Sequence, residues 1–170
     1  MAENLNQIIP NIFIGDFSAS QSITLLEKKN IRSIVSVIKH SSSSFPQFDY
    51  LNIPIDDNLN TNICQYFDIV TDWIQSKLIL QPHFGILIHC AAGVSRSTTL
   101  LAAFLMKSKN LSPKDAISLI SSKRPQVQPN DFFIYQLELY QNCNFQWDPV
   151  KVFINLLNWI SFLTCSLISH

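Results

Sequence analysis

One hundred and seventy residues suit a single domain with a substantial core. Almost half of them are apolar (47%), only 14% are charged and three are glycine, which excludes a disordered chain. Twelve basic residues balance twelve acidic ones, so nothing in the charge points to nucleic acid or to a polybasic membrane patch.

Residues 12–14 are the first expected strand, followed by a turn at Gly15-Asp16. Ser18 with Gln21 three positions on makes a capping-box pattern and predicts a helix through about Lys29. Residues 33–38 are β-branched enough for a buried strand; residues 40–44 are polar and read as a loop; residues 50–53 form a further strand ended by Pro54. After Asn60 or Thr61, apolar Ile63, Phe67, Val70, Trp73 and Ile74 recur at helical spacing, and that helix ends by Pro82. Gly85 then releases the chain into a short apolar strand, residues 86–88, with a helix expected over 98–107. Asn110-Leu111-Ser112 fits a glycosylation sequon but reads as a turn, since Ser112, Pro113 and Asp115 stand where a helix wants its cap, N1 and N3 residues. Asn130 caps a last helix over residues 131–142. Strands alternating with helices predict an α/β layered domain.

Between the strand at 86–88 and the helix that follows stands His89-Cys90-Ala91-Ala92-Gly93-Val94-Ser95-Arg96-Ser97. A cysteine and an arginine separated by five mostly small residues can curl around a tetrahedral dianion, with backbone amides pointing inward and the helix N-terminus adding its positive end. A thiol so placed is deprotonated near neutrality, because helix N-termini lower cysteine pKa into the range of about 3.5–7.5. Arg96 adds a planar fork able to grip two phosphoryl oxygens at once. Asp56 and Asp57 lie on a Pro-flanked loop, where a rigid scaffold can present a general acid; spacing alone does not choose between them.

The run HCAAGVSRS, together with IPIDDN (53–58) and KRPQVQPNDFFIYQL (123–137), resembles the compact dual-specificity branch of the cysteine-based protein tyrosine phosphatases, over a stretch from about Ile8 to Cys143. The resemblance implies a three-layer α/β domain of the protein tyrosine phosphatase type, a central mixed sheet flanked by helices. It implies Cys90 as nucleophile and Arg96, with Ala91, Ala92, Gly93, Val94 and Ser95, as the phosphoryl-binding loop. His89 is then a supporting residue that orders the loop, Ser97 a hydroxyl that helps Cys90 leave as a thiolate, and Asn130 a brace for the loop. Matching IPIDDN to the family pattern selects Asp57 as the acid. Phe133, Gln136 and Leu137 are read as packing, and Lys123 and Arg124 as a basic pair complementing a helix end. Where the family often has glycine two residues after the asparagine, Phe132 stands here.

The implied activity is hydrolysis of phosphotyrosine and phosphoserine or phosphothreonine in proteins through a cysteinyl-phosphate, with no metal or other cofactor. Alternatives are a phosphatase of lipid or other non-protein phosphates, disfavoured because the loop lacks lysine, and a module that only binds phosphoproteins, disfavoured because cysteine, arginine and acid all persist. Cys64, Cys90, Cys143 and Cys165 show no zinc spacing, and no signal peptide is visible, so a reducing cytoplasmic or nuclear setting is expected. Residue 2 is alanine, which excludes N-myristoylation. The domain is expected over residues 1–144, with no kinase-docking module before it. Residues 145–170 form an apolar tail whose stretch 152–168 carries no charge. Its polar residues spiral around a helix, which argues against a simple amphipathic helix, and its length is at the short end of the ~17–25 residues of a membrane span. Membrane contact or packing on a partner is the expectation.

Overall fold

The computed structural model describes residues 4–39, 44–146 and 148–150. Five short strands, β1 (Leu5–Ile9), β2 (Ile12–Gly15), β3 (Ile31–Ser36), β4 (Asp49–Asn52) and β5 (Gly85–His89), form one sheet in the order β1-β2-β5-β3-β4. The pair β1–β2 is antiparallel and the other three pairings are parallel, so the sheet is mixed, with β5 at its centre. All five residues of β5 are buried, as expected of a strand covered on both faces.

Side chains alternate along each strand and thereby build two cores. Ile12, Ile14, Val35, Ile86 and Ile88 face the larger core, filled from helices α3 (Phe67–Leu80), α4 (Arg96–Lys109), α5 (Pro113–Ser121) and α6 (Asp131–Asn142). Phe13, Ile34 and Leu87 point the other way, into a smaller core shared with Ala19 of α1 (Phe17–Gln21) and Leu26 of α2 (Ile23–Lys28). The three layers are therefore two helices, sheet, four helices. Helix α4 is buried without interruption from Ser97 to Met106, because β2 and β5, α3, α5 and α6 enclose it.

Local signals placed most elements within two residues, with three departures. The first strand is β1, not 12–14: Leu5 to Ile9 pairs with β2 across the turn Pro10–Asn11, where Asn11 has φ 62°. The Ser18–Gln21 box does not form. Asp16 is the cap, its carboxylate accepting from the Ala19 amide at 2.8 Å, and the helix breaks at Ser22 before resuming as α2. The helix expected from Asn60 or Thr61 starts with a 3-10 turn, Cys64–Tyr66, and becomes α-helical at Phe67.

Other local readings hold. Asn110 closes α4 in the left-handed conformation, and Ser112 caps α5 by accepting from the Asp115 amide at 3.1 Å. Packing continues one residue past Asn144, since Phe145 lies against Tyr140 with ring centroids 5.7 Å apart. Among the described residues no helix is long and apolar enough to cross a membrane; the stretch 152–168 lies outside them.

Candidate active site

The loop from Cys90 to Ser95 leaves the carboxyl end of the central strand β5 and enters α4, whose embedded body fixes where Arg96 and Ser97 stand. Cys90 is 1% exposed, at the floor of the loop. Its sulfur accepts from the Gly93 amide and from Ser97 Oγ, each at 3.3 Å. Burial alone would push this thiol up. The Ser97 hydroxyl and amide, the Val94 amide and the Arg96 charge together outweigh burial and hold it below the ordinary thiol value. The sulfur thus sits at the bottom of a bowl of amides that favours its ionised form.

His89, 1% exposed, lies under the loop with Nδ1 at 3.2 Å from the Cys90 carbonyl. A carbonyl only accepts, so the ring carries its proton on Nδ1. Burial lowers its pKa to about 4 and keeps it neutral. The side chain holds the Cys90 carbonyl at the start of the loop.

Gly93 has φ 65°, a conformation glycine adopts without penalty. The crowding there comes from behind the loop: a Cβ would meet the Gly15 carbonyl oxygen at 2.4 Å and Arg124 Nη2 at 2.9 Å.

Arg96 donates from Nη1 to the Ile55 carbonyl at 3.1 Å, which aims the guanidinium along the loop that carries the two aspartates. Its Nε is buried without a hydrogen-bond partner, 3.7 Å from Asp57 Oδ2. An orphaned buried N–H of a guanidinium is costly unless something anionic completes it, and a phosphoryl oxygen is such a group. Asp57 faces the loop: its Oδ1 accepts from Ser95 Oγ at 2.9 Å and from Asn130 Nδ2 at 2.8 Å. Asp56 turns outward to pair with Lys39 at 2.7 Å, both side chains being largely exposed. Asp57 thus lies toward the loop and Asp56 away from it.

Asn130 does several jobs with one side chain and its amide. Oδ1 caps α6 on the Phe133 amide at 2.9 Å, Nδ2 holds Asp57, and its backbone N–H reaches Ser95 Oγ at 3.3 Å. Its brace on the loop therefore runs through Ser95. Ala91 and Ala92 are exposed at the rim and Val94 is half-buried.

Two residues read otherwise from sequence take part in this construction. Arg124 is not a helix-end cation facing water: it is 2% exposed and reaches the Gly93 carbonyl from Nε at 2.8 Å, the Ala92 carbonyl from Nη2 at 3.2 Å and Asn6 Oδ1 from Nη1 at 2.6 Å. Pro125 is the signal in the sequence, because proline biases the residue before it away from helical backbone, so Arg124 lies beyond the helix end. Gln136 is more than packing. Its Oε1 accepts from the Cys64 amide at 2.9 Å and its Nε2 donates to Thr61 O at 3.0 Å, fastening the chain after the aspartate loop to α6. Phe133 and Leu137 are wholly buried, as expected. Among the described residues no group of His, Cys, Asp and Glu is arranged to hold a metal.

A buried sulfur that takes hydrogen bonds from amides and a hydroxyl, a guanidinium with an unpaired N–H and a facing carboxylate are the parts of a phosphoryl-transfer site. Comparison with known proteins agrees. The family model described as "Dual specificity phosphatase, catalytic domain" matches residues 12–143. The chain belongs to the dual specificity phosphatase family. It is 37% identical over 147 residues to dual specificity protein phosphatase 14 of Mus musculus, covering 86% of this chain and 73% of that protein. It is 34% identical over 146 residues to the tyrosine-protein phosphatase yvh1 of Schizosaccharomyces pombe, covering 85% of this chain and 44% of that one. The crystal structure of DUSP15 superposes with a TM-score of 0.79 at 27% identity, over 84% of this chain and 90% of that one. This dual specificity phosphatase is accordingly a protein phosphatase, with a fold of the protein tyrosine phosphatase type and phosphorylated proteins as its substrate class.

Proposed function

We propose that this phosphatase hydrolyses phosphotyrosine and phosphoserine or phosphothreonine side chains with Cys90 as nucleophile, Arg96 as phosphoryl clamp, Asp57 as general acid and Ser97 as support for the thiolate. The observation that carries the reading is the Cys90 sulfur accepting from Gly93 N–H and Ser97 Oγ at the entrance to α4.

The thiolate attacks phosphorus in line, a sulfur–phosphorus bond forms and the ester oxygen departs with the proton of Asp57. With Oδ1 already accepting from two donors, that proton belongs on Oδ2, the oxygen nearer Arg96. Arg96 and the loop amides carry the charge of the transition state. Asp57, now ionised, takes a proton from the water that attacks the cysteinyl-phosphate, and Ser97 Oγ stabilises the sulfur as it leaves. His89 and Asn130 support the loop without touching substrate. Ala91, Ala92, Val94 and Ser95 offer no cation for a second phosphate, which favours phosphoproteins over inositol phosphates. A reducing compartment, cytoplasm or nucleus, suits a thiol that has to stay free. Residues 152–168 would tether the enzyme to a membrane, and carbonate extraction with and without residues after Asn144 tests that.

The deciding experiment uses phosphotyrosine and phosphothreonine peptides with the wild type and Cys90→Ser. The wild type hydrolyses both classes and is inhibited by vanadate, whereas the variant binds phosphopeptide without turnover. Turnover retained in Cys90→Ser overturns the assignment.

A further inference from the structure

Loops that bind anions through their amides have to place their carbonyls elsewhere, and each of the six carbonyls from Cys90 to Ser95 can be followed to its donor. The Cys90 oxygen meets His89 Nδ1, and that of Ala91 accepts from the Phe17 amide at 3.0 Å. Val94 O takes the Gln128 amide and Thr98 Oγ1, and Ser95 O takes the amide and hydroxyl of Thr99. The two in the middle, Ala92 and Gly93, are held by one guanidinium, that of Arg124.

Those two carbonyls are not arbitrary. A planar peptide unit joins the Ala92 carbonyl to the Gly93 amide, and the next joins the Gly93 carbonyl to the Val94 amide. The Gly93 and Val94 amides are the two that donate to the Cys90 sulfur from within the loop. Fixing each carbonyl outward therefore fixes its amide inward, and Gly93 is the residue at which such planes turn most easily. Arg124 is itself fixed from outside by Asn6 Oδ1 of β1, at 2.6 Å.

We propose that Arg124 is a positioning residue of the phosphatase reaction: by clamping the Ala92 and Gly93 carbonyls it holds the Gly93 and Val94 amides toward the sulfur and the phosphoryl group. Asn6 anchors the clamp to the edge strand. This rests on Cys90 being the nucleophile.

The test is iodoacetamide alkylation of Cys90 across pH, alongside kcat and KM on an aryl phosphate, for wild type, Arg124→Met, Arg124→Lys and Asn6→Ala. In Arg124→Met the alkylation midpoint rises by about one pH unit and kcat falls by about 100-fold, the scale seen when one oxyanion donor is removed. Arg124→Lys, which can still reach one carbonyl, recovers part of both. Asn6→Ala moves them in the same direction by less, and supplies the answer should Arg124→Met not fold. A merely structural arginine would lower the melting temperature and leave the midpoint of the folded protein where it is. Folded variants that alkylate along the wild-type curve and keep the wild-type kcat overturn the proposal. Absence of hydrolysis by the wild type would instead strike the phosphatase reading, because the alkylation curves need no turnover.

Discussion

Adding one methyl group at Gly93 is the most demanding small change this molecule offers. At φ 65° an alanine sits in the left-handed region, at a cost of roughly 1–2 kcal/mol. Its Cβ would also fall 2.4 Å from the Gly15 oxygen and 2.6 Å from the Gly15 carbonyl carbon, both backbone atoms of β2 that cannot swing aside. Relief requires the loop or the strand to shift, and overpacking of this kind typically adds about 1–3 kcal/mol. The sum, about 2–5 kcal/mol, lowers the melting temperature by on the order of 10 °C in a domain of this size. The catalytic effect is of the same order as the folding effect, because a displacement of about 1 Å in positioned groups costs roughly 100-fold in rate, or about 2.7 kcal/mol. Gly15→Ala is the control: its nearest contacts are 3.1–3.2 Å, two of them with side-chain atoms, and its backbone is not left-handed. Thermal melts and kcat/KM on an aryl phosphate read both variants. A Gly93→Ala protein that melts with the wild type and hydrolyses at the wild-type rate refutes the reasoning.

Asp57→Asn lowers kcat on phenolic esters by about 100-fold or more, in the range general acids supply, and much less on esters with acidic leaving groups. Asp56→Asn, which breaks an exposed pair with Lys39, stays near wild type in the same steady-state assay. Ser97→Ala removes a hydrogen bond to a buried thiolate, worth about 1.5–3 kcal/mol, and the Cys90 alkylation midpoint moves up by about one to two pH units. Its hydrolysis of the cysteinyl-phosphate slows, giving a rapid-quench burst of the leaving alcohol. His89 sets an acid limit on stability. Its folded pKa of about 4 lies below the unfolded 6.5, so the unfolded chain binds more protons between them. Stability therefore drops as pH falls from 6.5 through about 4, by up to about 3 kcal/mol, and His89→Asn flattens that part of a urea-against-pH series.

Contiguous chemistry is the most legible in the sequence. Cys90, Gly93, Arg96 and Ser97 sit within eight residues, so strand, loop and helix start are dictated by neighbours, and the same holds for Ser112, Pro113 and Asp115 at the head of α5. Strand β1 is not legible in the sequence because Asn6 and Gln7 interrupt its apolar pattern, with the Pro10–Asn11 turn as its local mark. At α1, the Ser18–Gln21 spacing competed with Asp16, and a carboxylate able to reach the Ala19 amide won. Arg124 and Gln136 act across 31 and 75 positions of chain, on Gly93 and Thr61, and no periodicity encodes such reach. That Asp57 and not Asp56 faces the loop likewise goes with a contact to Asn130, 73 positions away.

Helix α4 is enclosed over three turns without a break, and the loop from Cys90 to Ser95 is its direct continuation. Amides there can exchange with deuterium only through openings that dismantle the larger core, so no cheap local fluctuation uncouples the bowl from the rest. The enzyme then loses its chemistry and its native state in one cooperative event, and partially melted forms retain neither.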